Sequence, residues 1–220
     1  MISLCWCERS KLFCPIGPMG PICPIKNSSR LAFSLIELLI TVAIILILAT
    51  AYFGPNNRNR QQSLKRACQK NLEKIYVSME IYANEHGGTF PVVAGARTSE
   101  EALDTLVPRY TSDTSPFICP ASKDPLLPAG ESFRSRTISY AYYMGCYSTN
   151  ATQVVMSDRQ VDTQPKSAGQ AVFSITGKGP GSNHGKFGGN FLFCDGQTDM
   201  SPPVAAVPLG LSDNQRLLNP

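Results

Sequence analysis

FSLIELLITVAIILILATAYF, residues 33–53, is 21 residues long and carries a single charge, Glu37. About 20 apolar residues in helical form cross the hydrocarbon core of a bilayer, so this stretch predicts a membrane-spanning helix. A buried core helix would show one apolar stripe, whereas here apolar side chains cover every face. The preceding 32 residues hold Cys5, Cys7, Cys14 and Cys23, and four prolines, and have few features of a globular fold. Arg9, Lys11, Lys26 and Arg30 outnumber Glu8 there, and a positive flank favours the cytoplasmic side. The chain after Phe53 is therefore expected to face the periplasm or the exterior. A secretory signal peptide fits less well, because the apolar run exceeds the usual core of such a signal and no small-x-small site follows it directly. Met1 and Met19 are alternative starts.

Beyond the span, Gly54-Pro55 predicts a kink, after which helical chemistry resumes. Leu64, Cys68, Leu72, Ile75, Met79 and Tyr82 recur at helical spacing on one face, with Lys65, Arg66, Lys70, Glu73, Lys74 and Glu80 assigned to the others. Gly87-Gly88 supplies the stop. Thr98-Ser99-Glu100-Glu101 reads as a capping box opening a short helix that Pro108 ends. Strands are expected at 137–144, 153–156, 170–175 and 190–194, with a return at 197–200 after an Asp195-Gly196 hairpin turn. From Ser201 onward, prolines and small residues suggest a flexible tail. The expected organisation is a leader at 1–32, a transmembrane helix at 33–53, its amphipathic continuation at 54–88, an α+β head at 89–200 and a tail at 201–220. A net charge of +4, with only 16% charged residues of mixed sign, gives no reason to expect nucleic acid contact.

The run from Arg30 through Leu31, Ala32, Phe33, Ser34, Leu35 and Ile36 to Glu37 resembles the processing site of prepilins, shared by type IV pilins and type II secretion pseudopilins. The resemblance implies a cut between Ala32 and Phe33 by prepilin peptidase and N-methylation of Phe33; most members have glycine where Ala32 stands. It continues through residues 67–91, with Cys68, Asn71, Leu72, Ile75, Tyr82, Gly88 and Pro91 at matching positions, and through Phe117-Ile118-Cys119-Pro120 and Ile138-Ser139-Tyr140. Asn183-His184, leading to Asp195-Gly196, resembles the His…Asp-Gly signature of the prepilin-type processing-associated subfamily. Ten residues separate His184 from Asp195 where that family has nine. The implied fold is α+β and pilin-like, a long N-terminal helix packed on a small antiparallel sheet.

Glu37 is the residue whose placement asks most for a function, since a carboxylate in a span costs about 2.5–3.5 kcal/mol on insertion scales. If cleavage frees an amine on Phe33, Glu37 of a neighbouring subunit neutralises it and sets the stagger between helices in a filament. Cys68, Cys119, Cys146 and Cys194 would lie outside the cytoplasm, where disulfides form, and four cysteines allow three pairings. Zinc is the weaker alternative, with no CxxC among these four and only His86 and His184 to help. His184, Asp158, Asp195 and Asp199 could support general base chemistry, yet for these residues turn capping ranks first. Calcium on Asp195 and Asp199 ranks second, a thin donor set for an ion that takes about six or more oxygens. Catalysis ranks last, because no nucleophile motif accompanies them.

The expected function is structural rather than enzymatic. The subunit would polymerise with itself or other pilins into a type II secretion pseudopilus or type IV pilus. Its partners would be prepilin peptidase, the inner-membrane assembly platform with its ATPase, and the membrane, with the N-terminus cytoplasmic and the head periplasmic. A membrane-anchored periplasmic enzyme using His184 and Asp195, and a cargo-binding module, are the alternatives.

Overall fold

The computed structural model describes residues 34–53, 56–176, 181, 183–205 and 209–220. The leader, Ala32, Phe33 and the Gly54-Pro55 pair lie outside these residues. The chain divides into two compact units, Met1–Leu48 and Ala49–Pro220.

Helix α1, Leu35–Phe53, contains no glycine or proline, and its leucines, isoleucines and alanines favour helix. The window Leu35–Tyr52 has a mean hydropathy of 2.5 and none of it is buried within the protein. Helix α2, Asn56–Glu85, follows. Of the expected stripe, Cys68, Leu72, Ile75 and Met79 are buried and Leu64 and Tyr82 half-buried, and Ala83 is buried beside them. Lys65 is a correction: it was expected on a solvent face, yet it is 7% exposed. Positions 65, 68, 72, 75 and 79 step by 3, 4, 3 and 4, so Lys65 continues the buried stripe by geometry alone. Past the end of α2, Gly87 and Gly88 take positive φ, and Gly88 N–H returns to the Ala83 carbonyl at 2.8 Å.

The α+β expectation holds. Five antiparallel strands, β1 (Tyr140–Met144), β2 (Val154–Asp158), β3 (Gly189–Phe193), β4 (Thr198–Ser201) and β5 (Arg216–Leu218), pair in the order β4-β3-β2-β1-β5. Side chains of α2 reach β4 and the β3–β4 turn directly: Gln69 Nε2 donates to Thr198 Oγ1 at 2.6 Å, and Tyr76 Oη donates to the Cys194 carbonyl at 3.0 Å. The buried stripe of α2 shares one core with Phe90, Phe117, Phe133, Tyr140, Tyr142 and Phe173. Thr98 caps the short helix α3, Ser99–Leu103, by accepting from Glu101 N–H, and a 3-10 turn at Asp104–Leu106 carries it on towards Pro108.

Two expectations change. Residues 170–175 form no strand; Ala171 makes one isolated bridge to Val204. The facing segment carries Pro202 and Pro203, which lack the N–H groups a longer ladder needs. The tail at 201–220 is not a loose end either. β5 pairs with β1, Tyr142 opposite Leu218, and both Leu217 and Leu218 are buried. Two consecutive leucines closing a sheet edge outweigh the proline-rich composition around them.

Candidate functional site

Two places draw on the residues singled out in the sequence. The first is α1. Glu37 stands exposed in the first turn, where a carboxylate is favoured by the helix dipole. Around it Leu35 is 80% exposed, and Ile36, Leu38, Leu39 and Ile40 are exposed as well.

The second place is buried in the head. Cys68 from α2 and Cys119 from the loop after the 3-10 turn Ser115–Phe117 form a disulfide. The other two of the four cysteines, Cys146 and Cys194, are buried free thiols, so one disulfide forms where the sequence allowed two. Against the disulfide lies His184, 3% exposed, with Nε2 3.5 Å from Cys119 Sγ and 3.5 Å from Asp158 Oδ2. His184 was expected to cap a turn; its side chain makes no cap bond, and the imidazole turns inward instead. Burial lowers its pKa, Asp158 pulls it back up and Lys65 pushes it down again, so the ring is held towards its neutral form.

Asp158, at the end of β2, is 1% exposed. Its carboxylate accepts from Asn190 N–H at 2.7 Å, from Asn190 Nδ2 at 2.9 Å and, on the other oxygen, from Asn183 Nδ2 at 2.9 Å. These three donors compensate a charge that would otherwise be costly to bury. Lys65 Nζ donates to the carbonyls of Phe187 at 2.9 Å and Ser201 at 3.1 Å, and its pKa is lowered by burial while Asp158 and Asp199 draw it up. A cleft of about 570 Å³ has Asn183 and His184 in its wall, with Lys123, Asp124, Arg159 and Lys186 around it. Arg159 and Asp124 pair there at 2.7 Å.

The carboxylate facing His184 is thus Asp158, not Asp195. Asp195 is exposed in the β3–β4 turn, where its Oδ1 accepts from Gln197 N–H at 2.9 Å. Gly196 takes φ +85° there and lies against the Tyr76 ring. Asp199 is exposed on β4 and accepts from Met200 N–H. Among the described residues, the one cluster of His, Cys and acidic donors close enough for a metal is Cys68, Cys119, Asp158 and His184. The two free thiols lie together: a hydrogen bond from Cys194 lowers the pKa of Cys146, and the same contact raises that of Cys194.

Sequence reasoning missed Lys65, Asn183 and Asn190 as members of this site. The signal for Lys65 was its place in the buried stripe, and Asp158 was already named with His184 for general base chemistry. Asn183 stood beside His184 in the C-terminal motif without a role of its own, and Asn190 gained one only through a contact made across the fold.

Residues 27–53 match the family model described as Prokaryotic N-terminal methylation motif. No curated protein and no solved structure matches the chain. The chain therefore carries the prepilin-type methylation motif over the one candidate span among its described residues, consistent with the type IV pilin and pseudopilin family.

Proposed function

We propose that this chain is a filament subunit, cut before Phe33 by prepilin peptidase, methylated there, and polymerised with itself or related subunits into a pseudopilus or pilus. The observation that carries the reading is Glu37 in the first turn of an otherwise apolar helix, within the methylation motif of residues 27–53. In lipid such a helix is satisfied by acyl chains. In a filament it is satisfied by copies of itself, and the Phe33 amine of one copy meets the Glu37 carboxylate of another. Oppositely charged groups in a low-dielectric bundle favour one stagger over its neighbours, which sets register more than it adds stability. Transfer from bilayer to filament gains little from water release, so an external motor, the platform and its ATPase, has to supply the work. Type II secretion fits a short pseudopilus of this kind, with the head periplasmic until assembly.

Intact-mass measurement of the membrane-extracted protein tests the processing step, with a methylated Phe33 start as the expected result. Retention of residues 1–32 would refute it. For assembly, Glu37→Val is expected to leave processing and membrane retention intact while reducing incorporation into sheared filaments at least tenfold. Incorporation equal to wild type would remove the role given to Glu37.

A further inference from the structure

We propose that Cys68, Cys119, Asp158 and His184 form a buried tetrahedral site for Zn²⁺, open when the two cysteines are thiolates and closed by their disulfide. The donor atoms of these four side chains lie within 4.8 Å of one another, and all four residues are buried. A disulfide is uncharged and a weak hydrogen-bond acceptor. Nothing in it calls for a carboxylate held by three N–H donors, or for an imidazole Nε2 set between that carboxylate and a cysteine sulfur. A metal ion calls for both.

The distances fit. Zn–N of about 2.0–2.1 Å, Zn–S of about 2.3 Å and Zn–O of about 2.0–2.2 Å give tetrahedral edges of about 3.6 Å for N···S and about 3.4 Å for N···O. His184 Nε2 stands 3.5 Å from Cys119 Sγ and 3.5 Å from Asp158 Oδ2. Two edges of the tetrahedron are therefore present already, and the edge that has to open is the one between the sulfurs, to about 3.8 Å. Asn183 and Asn190 supply the outer layer that fixes the orientation of a ligating carboxylate. Two thiolates and a carboxylate leave Zn²⁺ with one excess negative charge, and the buried Lys65 ammonium, electrostatically coupled to Asp158, offsets it. The cleft reaching Asn183 and His184 provides an approach.

The exchange balances. A dithiol reductant passes two electrons and two protons to the Cys68–Cys119 bond, becoming a disulfide itself and leaving two thiols. Zn²⁺ then displaces both thiol protons to solvent and takes the lone pair of Nε2, with the ring proton on Nδ1. A disulfide oxidant reverses the sequence: it takes two electrons from the two thiolates and two protons from solvent, leaves as two thiols, and Zn²⁺ is expelled as the Cys68–Cys119 bond re-forms.

The test uses the full-length chain in detergent, reduced anaerobically by a phosphine, which leaves as its oxide with oxygen from water. Zn²⁺ content and the Co²⁺ absorption spectrum are read before and after reoxidation. The reduced wild type is expected to hold one more equivalent of Zn²⁺ than reduced His184→Gln, and to lose it on reoxidation. The leader cysteines are common to both proteins and cancel in that difference. A Cys146→Ser/Cys194→Ser protein keeps all four ligands and is expected to retain the ion. Equal Zn²⁺ in wild type and His184→Gln, or loss of it in the Cys146→Ser/Cys194→Ser protein, would overturn the proposal. Should His184→Gln fail to fold, the wild-type cobalt spectrum decides. Tetrahedral ligand-field bands with charge transfer from two thiolates support the site, and an octahedral or four-thiolate spectrum refutes it.

Discussion

Helices α1 and α2 are neighbours in sequence and opposites in composition. α1 has one charge in 19 residues and exposes its apolar side chains on every side. α2 is polar overall and buries a single stripe, Cys68, Leu72, Ile75 and Met79, within the head. The difference lies in where each finds its partner. α2 is completed by strands of its own chain, so its side chains are fixed by particular contacts. α1 is uniformly greasy, and uniform surface is suited to lipid or to many equivalent neighbours. Head and anchor should therefore respond independently to substitution.

The largest separation is expected from Cys119→Ser. The disulfide spans 51 residues of sequence, and closing a loop of that size restricts the unfolded chain by about 4 kcal/mol in the entropic account. Thermal unfolding of the head should drop by roughly 10 °C for a loss of that size, while carbonate extraction still finds the protein in the membrane. Simultaneous loss of membrane retention would break the independence of the two regions.

Ile44→Arg makes the converse change. An arginine near the middle of the span costs about 3 kcal/mol of insertion free energy. Membrane retention should fall, and the melting temperature of the head, followed by near-ultraviolet circular dichroism, should not move.

These two regions also differed in how far they could be read in advance. The span and its charge are local in sequence, and composition over 21 residues suffices to identify them, while the processing motif is legible through its resemblance to prepilins. The buried stripe of α2 was legible because helical periodicity is geometric. The site around His184 was legible only in fragments. Its residues come from α2, from the loop after Ser115–Phe117, from the end of β2 and from the loop before β3, and no spacing rule connects them. His184 and Asp195 are joined in one motif on the page of sequence, yet the fold sends one into the core and the other to a turn. β5 was missed because three residues are too few for period-two alternation to show.

Alkaline pH offers a third test, confined to the head. Burial raises the pKa of Tyr143 to about 12, against the lowering effect of its bonds to Gln160 and Ser157. Below pH 10 the phenol is neutral in folded and unfolded chains alike, and its contribution is complete. Between pH 10 and about 12 the unfolded chain ionises first, so stability declines as pH rises, by about 1.4 kcal/mol for each pH unit and about 3 kcal/mol in all. Tyr143→Phe should remove that part of the decline in urea titrations and leave the parts due to Tyr76, Tyr140 and Tyr142, whose pKa values burial also raises. An unchanged slope would mean that the phenol reaches water in the folded head.

The smallest effect tests how the Asp195-Gly196 turn is tied to α2. Gly196 has φ +85°, a conformation that costs a residue with a Cβ about 1–2 kcal/mol. A Cβ built there falls 2.7 Å from Cε1 of Tyr76, so the ring would have to move. It is not free to do so at no cost, because its hydroxyl donates to the Cys194 carbonyl at 3.0 Å and its ring meets Phe90 edge-on. Gly196→Ala should therefore destabilise the head by about 2 kcal/mol, backbone and contact effects together. In a Tyr76→Ala background the contact part disappears and the backbone part stays, so the same substitution should cost about 1 kcal/mol less. Equal costs in both backgrounds would show that the turn is held by its own backbone and that α2 merely lies beside it. A smaller cost with the ring removed would make the hairpin turn a docking point, joining the last two strands to the helix that follows the anchor.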